Sequence, residues 1–152
     1  VTITVQAEPY KDFIKDAKAL YPLHWEELAI NKDKVPLDPQ YDAYDALDAK
    51  NQLLVVTMRR GEELVGYFIG IVAPELHYKS CIALTMDIFW THPSIRDGGA
   101  GIRLFRAVEN EAKRRGVQRI YHGSKLHKDS SRLFEYFDMT PIEVYYSKWI
   151  GD

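Results

Sequence analysis

The sequence predicts an α+β fold with one mixed sheet, and three patterns predict that class. Three apolar runs, Leu53 to Met58, Leu64 to Val72 and Ala83 to Thr91, are separated by turns too short for a crossover, so they form an antiparallel meander. The last run feeds a glycine-rich turn, an amphipathic helix and a further short apolar run, which is one βαβ-like unit. Helical periodicity also fills the stretch between the first strand and the meander. A meander followed by one parallel unit is an α+β arrangement with flanking helices.

The elements follow in order. Val1-Thr2-Ile3-Thr4-Val5 alternates with period two and reads as a strand. Pro9 opens a helix with Tyr10, Phe13, Ile14, Ala17 and Leu20 on one face, and Pro22 ends it. His24 to Ile30 reads as a short second helical segment. Asp38-Pro39 supplies an N-cap and first turn for a helix over Gln40 to Lys50. Arg59-Arg60-Gly61-Glu62-Glu63 makes the first turn of the meander, and Pro74 to Lys79 the second. The third run is interrupted only by Thr85 and Asp87, and His92-Pro93-Ser94-Ile95 ends it, because proline cannot continue a central ladder. After Arg96-Asp97-Gly98-Gly99-Ala100-Gly101, Ile102, Phe105, Val108 and Ala112 form a helical stripe. The basic turn Lys113-Arg114-Arg115 and Gly116 close that helix. Val117 to His122 reads as a strand parallel to the third run, Ser130 to Phe137 as a short helix, and Ile142 to Ile150 as a last strand.

Composition narrows the class. The 152 residues are 46% apolar and 28% charged, ordinary for one globular domain spanning 1–152. A single cysteine, Cys81 in an apolar run, gives no internal disulfide and reads as a core thiol. No apolar run approaches a membrane span, and no signal-peptide pattern opens the sequence, so a reducing cytoplasm is expected. The net charge is −2, unevenly spread. Residues 1–76 carry 8 Lys and Arg against 13 Asp and Glu, whereas residues 77–152 carry 12 against 9. The half with the glycine turn is the basic half, as an anionic ligand would want. No dense basic patch points to nucleic acid, and the histidines show no metal-ligand spacing.

A strand running through a glycine turn into a helix N-terminus suits phosphate, since free amides and the helix dipole both favour an anion. No lysine follows the turn as a P-loop requires, and the third glycine of a dinucleotide fingerprint is missing near Leu104. The spacing Arg96-x-x-Gly99-x-Gly101, after a strand ending in His-Pro-x-x-Arg and before Ile-x-Leu-Phe, instead resembles the acyl-CoA pyrophosphate loop of the GNAT acetyltransferase superfamily. The element order is similar from end to end, and general appearance places the chain near divergent bacterial or tailed-phage copies. The resemblance implies a splayed central pair of parallel strands, acetyl-CoA as co-substrate, and transfer of an acetyl group to a primary amine by direct attack on the thioester.

By that resemblance the pantetheine arm pairs with Phe89, Trp90 and Thr91. The pyrophosphate rests on Gly98, Gly99, Ala100, Gly101 and Ile102, with Arg96 adding charge. Arg103 either reaches the phosphates or lies solvated on the helix. Asp87 stands where many relatives place the base that takes the amine proton; the alternative is an aspartate on an open or salt-bridged strand face. The family's Asn-x-x-Ala-x-x-Leu-Tyr-x-x-x-Gly-Phe stretch falls on His127 to Met139. There His127 replaces the asparagine, Phe134 replaces the general-acid tyrosine, and Asp138-Met139 replaces Gly-Phe. Tyr136 would lie on another helix face. His127 either protonates the leaving thiolate or caps its loop. The acceptor wall falls on Asp38 to Asp48. If helical, it sets Asp38, Asp42 and Asp45 on one face, to gather cationic small-molecule or peptide amines, with Tyr41 or Tyr44 adding cation–π contact. The alternative is acids that complement the helix dipole. A second functional class also follows: a GNAT fold without turnover, serving as a homo-oligomeric or virion-associated assembly module, which Phe134 favours.

Overall fold

The computed structural model describes residues 2–152; Val1, the first residue of the expected opening strand, lies outside them. Strands β1 (Ile3–Ala7), β2 (Leu53–Arg60), β3 (Glu63–Pro74), β4 (Ile82–Thr91) and β5 (Arg119–Tyr121) form one sheet in that spatial order. The first four are antiparallel neighbours, and β4 and β5 run parallel. The helices are α1 (Tyr10–Ala17), α2 (Tyr21–Leu28), α3 (Tyr41–Ala49), α4 (Ala100–Arg114) and α5 (Ser131–Tyr136), with a 3-10 turn over Pro93–Gly98. This is the expected single-domain α+β fold.

β2 is buried at every residue from Leu53 to Met58, and apolar there but for Thr57, because helices cover both faces of the sheet. Leu54, Val56 and Met58 pack toward α4 with Leu104, Phe105, Val108 and Ala112. Leu53 and Val55 pack the other way, against Tyr10, Phe13, Ala17 and Tyr21 of α1 and α2. Burying one such side chain contributes roughly 1.5–3 kcal/mol, so α4 and the α1–α2 pair are held chiefly by these two clusters.

Four expectations need correction. Cys81 is not a core thiol: it is half-buried just before β4 and belongs to neither cluster. Pro22 does not simply stop α1, which ends at Ala17; it sits in the first turn of α2, where its missing N–H leaves no bond unmade. Asp38-Pro39 does not start α3, which begins at Tyr41 with Gln40 as N-cap and no side-chain capping bond. Asp38 therefore lies outside the helix and shares no face with Asp42 and Asp45. Ile142 to Ile150 forms no strand. Its alternation records β propensity, but a strand needs a neighbour, and none of the described residues pairs with it. Ile142, Val144, Tyr145, Tyr146 and Ile150 are all exposed.

Candidate active site

Two irregularities in β4 build the site. Opposite β3, Ile69 pairs with Ile88 but Gly70 pairs with Met86, so Asp87 is the extra residue of a β-bulge. Gly70 is required there: a Cβ would stand 2.5 Å from Leu84 Cδ1 and 2.8 Å from Phe68 Cε1. The bulge breaks the strict alternation of β4. Ile88 packs in the α1–α2 cluster, and Asp87 meets α3 on that same side of the sheet. Its partner is Tyr44, whose hydroxyl donates to Asp87 Oδ2. Burial, and then the bond to Asp87, raises the Tyr44 pKa well above its ordinary value, so the phenol stays protonated as the donor. The Tyr44 ring stacks on Tyr10, with centroids 5.4 Å apart at 14°.

The second irregularity is a parting of strands. β4 and β5 pair only at Ala83–Arg119, Leu84–Ile120 and Thr85–Tyr121. Beyond Thr85 no described strand pairs with β4 on that side, and its backbone borders a V-shaped opening as far as Thr91. The opening leads to the 3-10 turn and to Gly99, whose φ of 72° is left-handed and whose position is the N-cap of α4. No side chain caps this helix, so its first amides keep their donors free. Gly98 is exposed and faces open space, while Ala100 is buried and Ile102 half-buried. A Cβ on Gly101 would stand 3.1 Å from Leu133 Cδ2, so that glycine lets α4 and α5 approach.

The remaining candidates are placed as follows. Phe89 packs edge-on to Phe105, 4.9 Å between centroids. Trp90 is buried and donates through Nε1 to Glu27 Oε1 at 2.9 Å. The Thr91 carbonyl accepts from Arg96 Nε at 2.9 Å and Nη2 at 2.7 Å. Arg96 also forks onto Glu27, Nη1 to Oε2 at 2.8 Å and Nη2 to Oε1 at 2.7 Å. Arg96 thus ties α2 to the end of β4, and the Arg96 hydrogen bond draws the Glu27 pKa down to about 2. Arg103 donates to the Ile3 carbonyl at 2.6 Å, and with Arg60 and Gly98 it lines a cavity of about 270 Å³ beside the loop.

His127 is exposed, and its Nε2 lies 3.1 Å from the Leu28 carbonyl at the end of α2. No hydrogen bond joins it to Asp87. Asp42 and Asp45 are exposed on α3, and Lys18 Nζ stands 4.5 Å from the centroid of the Tyr41 ring. Phe134 is buried, whereas Tyr136 is exposed and accepts from Arg106 at 3.1 Å on the outer surface. Two residues without an expected role belong to the site's geometry, Glu27 and His122 behind the V, and Tyr44, expected only as a cation–π contact, is the partner of Asp87. Tyr44 had a visible signal, because it is one of the two aromatics among the aspartates of α3.

A family profile described as the Acetyltransferase (GNAT) family matches residues 17–137. No curated protein matches the chain in sequence. Among solved structures, a ribosomal-protein-alanine N-acetyltransferase from Brucella melitensis biovar Abortus is similar, with TM-score 0.70, 18% identity and all of both chains covered. A predicted acetyltransferase with acetyl-CoA from Clostridium acetobutylicum gives TM-score 0.72 at 14% identity, covering 98% of this chain and 97% of that one. An aminoglycoside acetyltransferase from an uncultured soil metagenomic sample, in complex with sisomicin, gives 0.69 at 13%, covering 97% of each. At such identities the structures speak for the fold, and the profile, matching well over half the chain, speaks for the family. The bulged strand, the V beside it and the uncapped helix N-terminus are parts of a chain that belongs to the GNAT family of acetyltransferases.

Proposed function

We propose that the protein transfers an acetyl group from acetyl-CoA to a primary amine. The observation that carries this reading is the continuity of the opening. On the side away from β3, the β4 backbone is free of any strand partner from Asp87 to Trp90, and the opening continues past Thr91 to glycines and free amides at the N-terminus of α4. An extended amide-bearing arm fits the first part and a pyrophosphate the second. Arg60 and Arg103 add positive charge beside the loop. Asp87 accepts the amine proton, directly or through water, with Tyr44 holding the carboxylate in place.

The acceptor enters from the α3 side. Asp42 and Asp45 present a negative face to it, which favours cationic amines. Two solved neighbours bear names that fit amine acceptors, the alanine N-acetyltransferase and the aminoglycoside acetyltransferase. The Tyr41 ring, already beside Lys18, contributes to acceptor binding only if that lysine is displaced.

Gly98→Val tests the loop, because a side chain there meets nothing in the fold yet covers the amides. Calorimetry should show at least about tenfold weaker acetyl-CoA binding with an unchanged melting temperature. Equal affinity in parent and variant would remove the loop from the site. A second reading, a fold that binds without turnover inside an assembly such as a phage particle, is favoured by buried Phe134 in place of a phenol. Acetyl-CoA binding with no thiol release on any amine panel would select it.

A further inference from the structure

His122 lies outside every role assigned so far, and its position is specific. Tyr121 is the last residue of β5 paired with β4, opposite Thr85, so His122 stands level with Met86 at the apex of the V. Its ring turns toward α4 and α5, with centroids 5.5 Å from Phe68, 4.9 Å from Phe105 and 5.3 Å from Phe134. Inside that phenyl cage Nδ1 is buried and has no hydrogen-bond partner of ordinary geometry among the described residues. A buried imidazole nitrogen without a partner is costly to keep, and a phenylalanine would pack there without that cost.

Asp87, one residue beyond Met86, turns to the opposite face of the sheet, where it meets Tyr44. The apex therefore carries a carboxylate on one side and an imidazole on the other. A thioester drawn into the V would lie between them. Burial brings the His122 pKa down to about 4, against the smaller upward effect of a hydrogen bond to the Tyr121 backbone, so the ring is neutral at pH 7 and keeps one N–H.

We propose that His122 Nδ1 is the hydrogen-bond donor to the sulfur of acyl-CoA as the thiolate departs, an assignment that rests on the acyl-CoA reading of the V. The amine nitrogen attacks the thioester carbonyl carbon from the Asp87 side. The C–S bond breaks, and its electron pair stays on sulfur. The amine proton passes to Asp87 and on to solvent. A neutral imidazole is too weak an acid to surrender its own proton, so it stabilises the sulfur charge by the hydrogen bond, and solvent protonates the departed thiolate. This division of labour removes the need for a phenol at Phe134.

The test reads the thiol of bound CoA by its ultraviolet thiolate absorbance as pH is varied. The bound thiol should ionise about one pH unit lower on the parent than on His122→Phe, which keeps the aromatic packing. His122→Asn, whose amide sets an N–H near the place of Nδ1, should recover part of that shift. In turnover, His122→Phe should lower kcat about tenfold while the KM for acetyl-CoA stays within about twofold. CoA bound to His122→Phe with an unshifted thiol overturns the donor role and leaves the acyl-CoA site standing. Calorimetry showing no CoA binding to the parent overturns the acyl-CoA reading, and this assignment with it.

Discussion

At the scale of single residues, the bulge explains how an aspartate sits in an apolar strand. Asp87 is exposed on the α3 side and accepts from the Tyr44 hydroxyl, so nothing about it is buried unpaired. Asp87→Asn keeps an oxygen for Tyr44 and leaves the fold in place. It should lower kcat at least about tenfold and remove the acid limb of the pH–rate profile, with acetyl-CoA affinity unchanged. Tyr136→Phe, on the outer surface against Arg106, should leave kcat as it was; a larger effect there than at Asp87 would reverse the roles. Asp138 shows a different residue-scale cost. It follows α5 with φ of 60°, the left-handed conformation that glycine holds most easily, and it stands where the resemblance places a glycine. Asp138→Gly should therefore raise stability by about 0.5–1 kcal/mol in urea denaturation, and a loss would show that its carboxylate has a partner worth more than the strain.

At the scale of elements, the meander, α4 and the strand-to-helix junction were legible because their patterns are long and their breaks are chemically sharp. β2 and β3 run a little longer than expected, since Arg59, Arg60 and Glu63 extend the ladder into the turn. The element that failed, Ile142 to Ile150, failed for a physical reason: alternation states which faces a strand would have, not whether a neighbour exists. The site was legible to the extent that it lies along the chain. Gly98 and Gly99 announced a turn, and Asp87 announced an anomaly. Arg96 was legible as a cation but not in its partner, because Glu27 is 69 residues away on α2 and only packing brings them together. His122 was passed over among scattered histidines, and the sequence gives no sign that three phenyl rings enclose it.

Glu27 is the element-scale hinge of stability, taking Trp90, Arg96 and Lys128 at once. Its folded pKa, about 2, lies below the ordinary 4.5, so its contribution is fully present above about pH 4.5 and is lost as pH falls toward 2. Glu27→Gln should cost about 1–2 kcal/mol at neutral pH, after allowance for solvent screening, and should flatten the stability curve across that window. An unchanged acid limb would mean that the pair is screened away.

At the scale of the whole molecule, charge is divided as the proposed ligands would need: acidic in the half that bears α3, basic in the half that bears the loop. Asp42→Lys with Asp45→Lys should raise the KM for polyamine or lysine-peptide acceptors about tenfold at low ionic strength, and added salt should shrink that difference. Unchanged acceptor kinetics would return those aspartates to the helix dipole. The V itself carries a consequence beyond chemistry. A strand with one bare flank is an unfinished sheet, open to pairing with foreign chains and to proteases. Whatever fills it completes the sheet, and by mass action a ligand at a hundred times its dissociation constant adds about 2.7 kcal/mol to the folded state. Limited proteolysis should therefore cut the protein more slowly with acetyl-CoA filling the V than with the V empty, and equal rates would mean that this strand edge needs no filling.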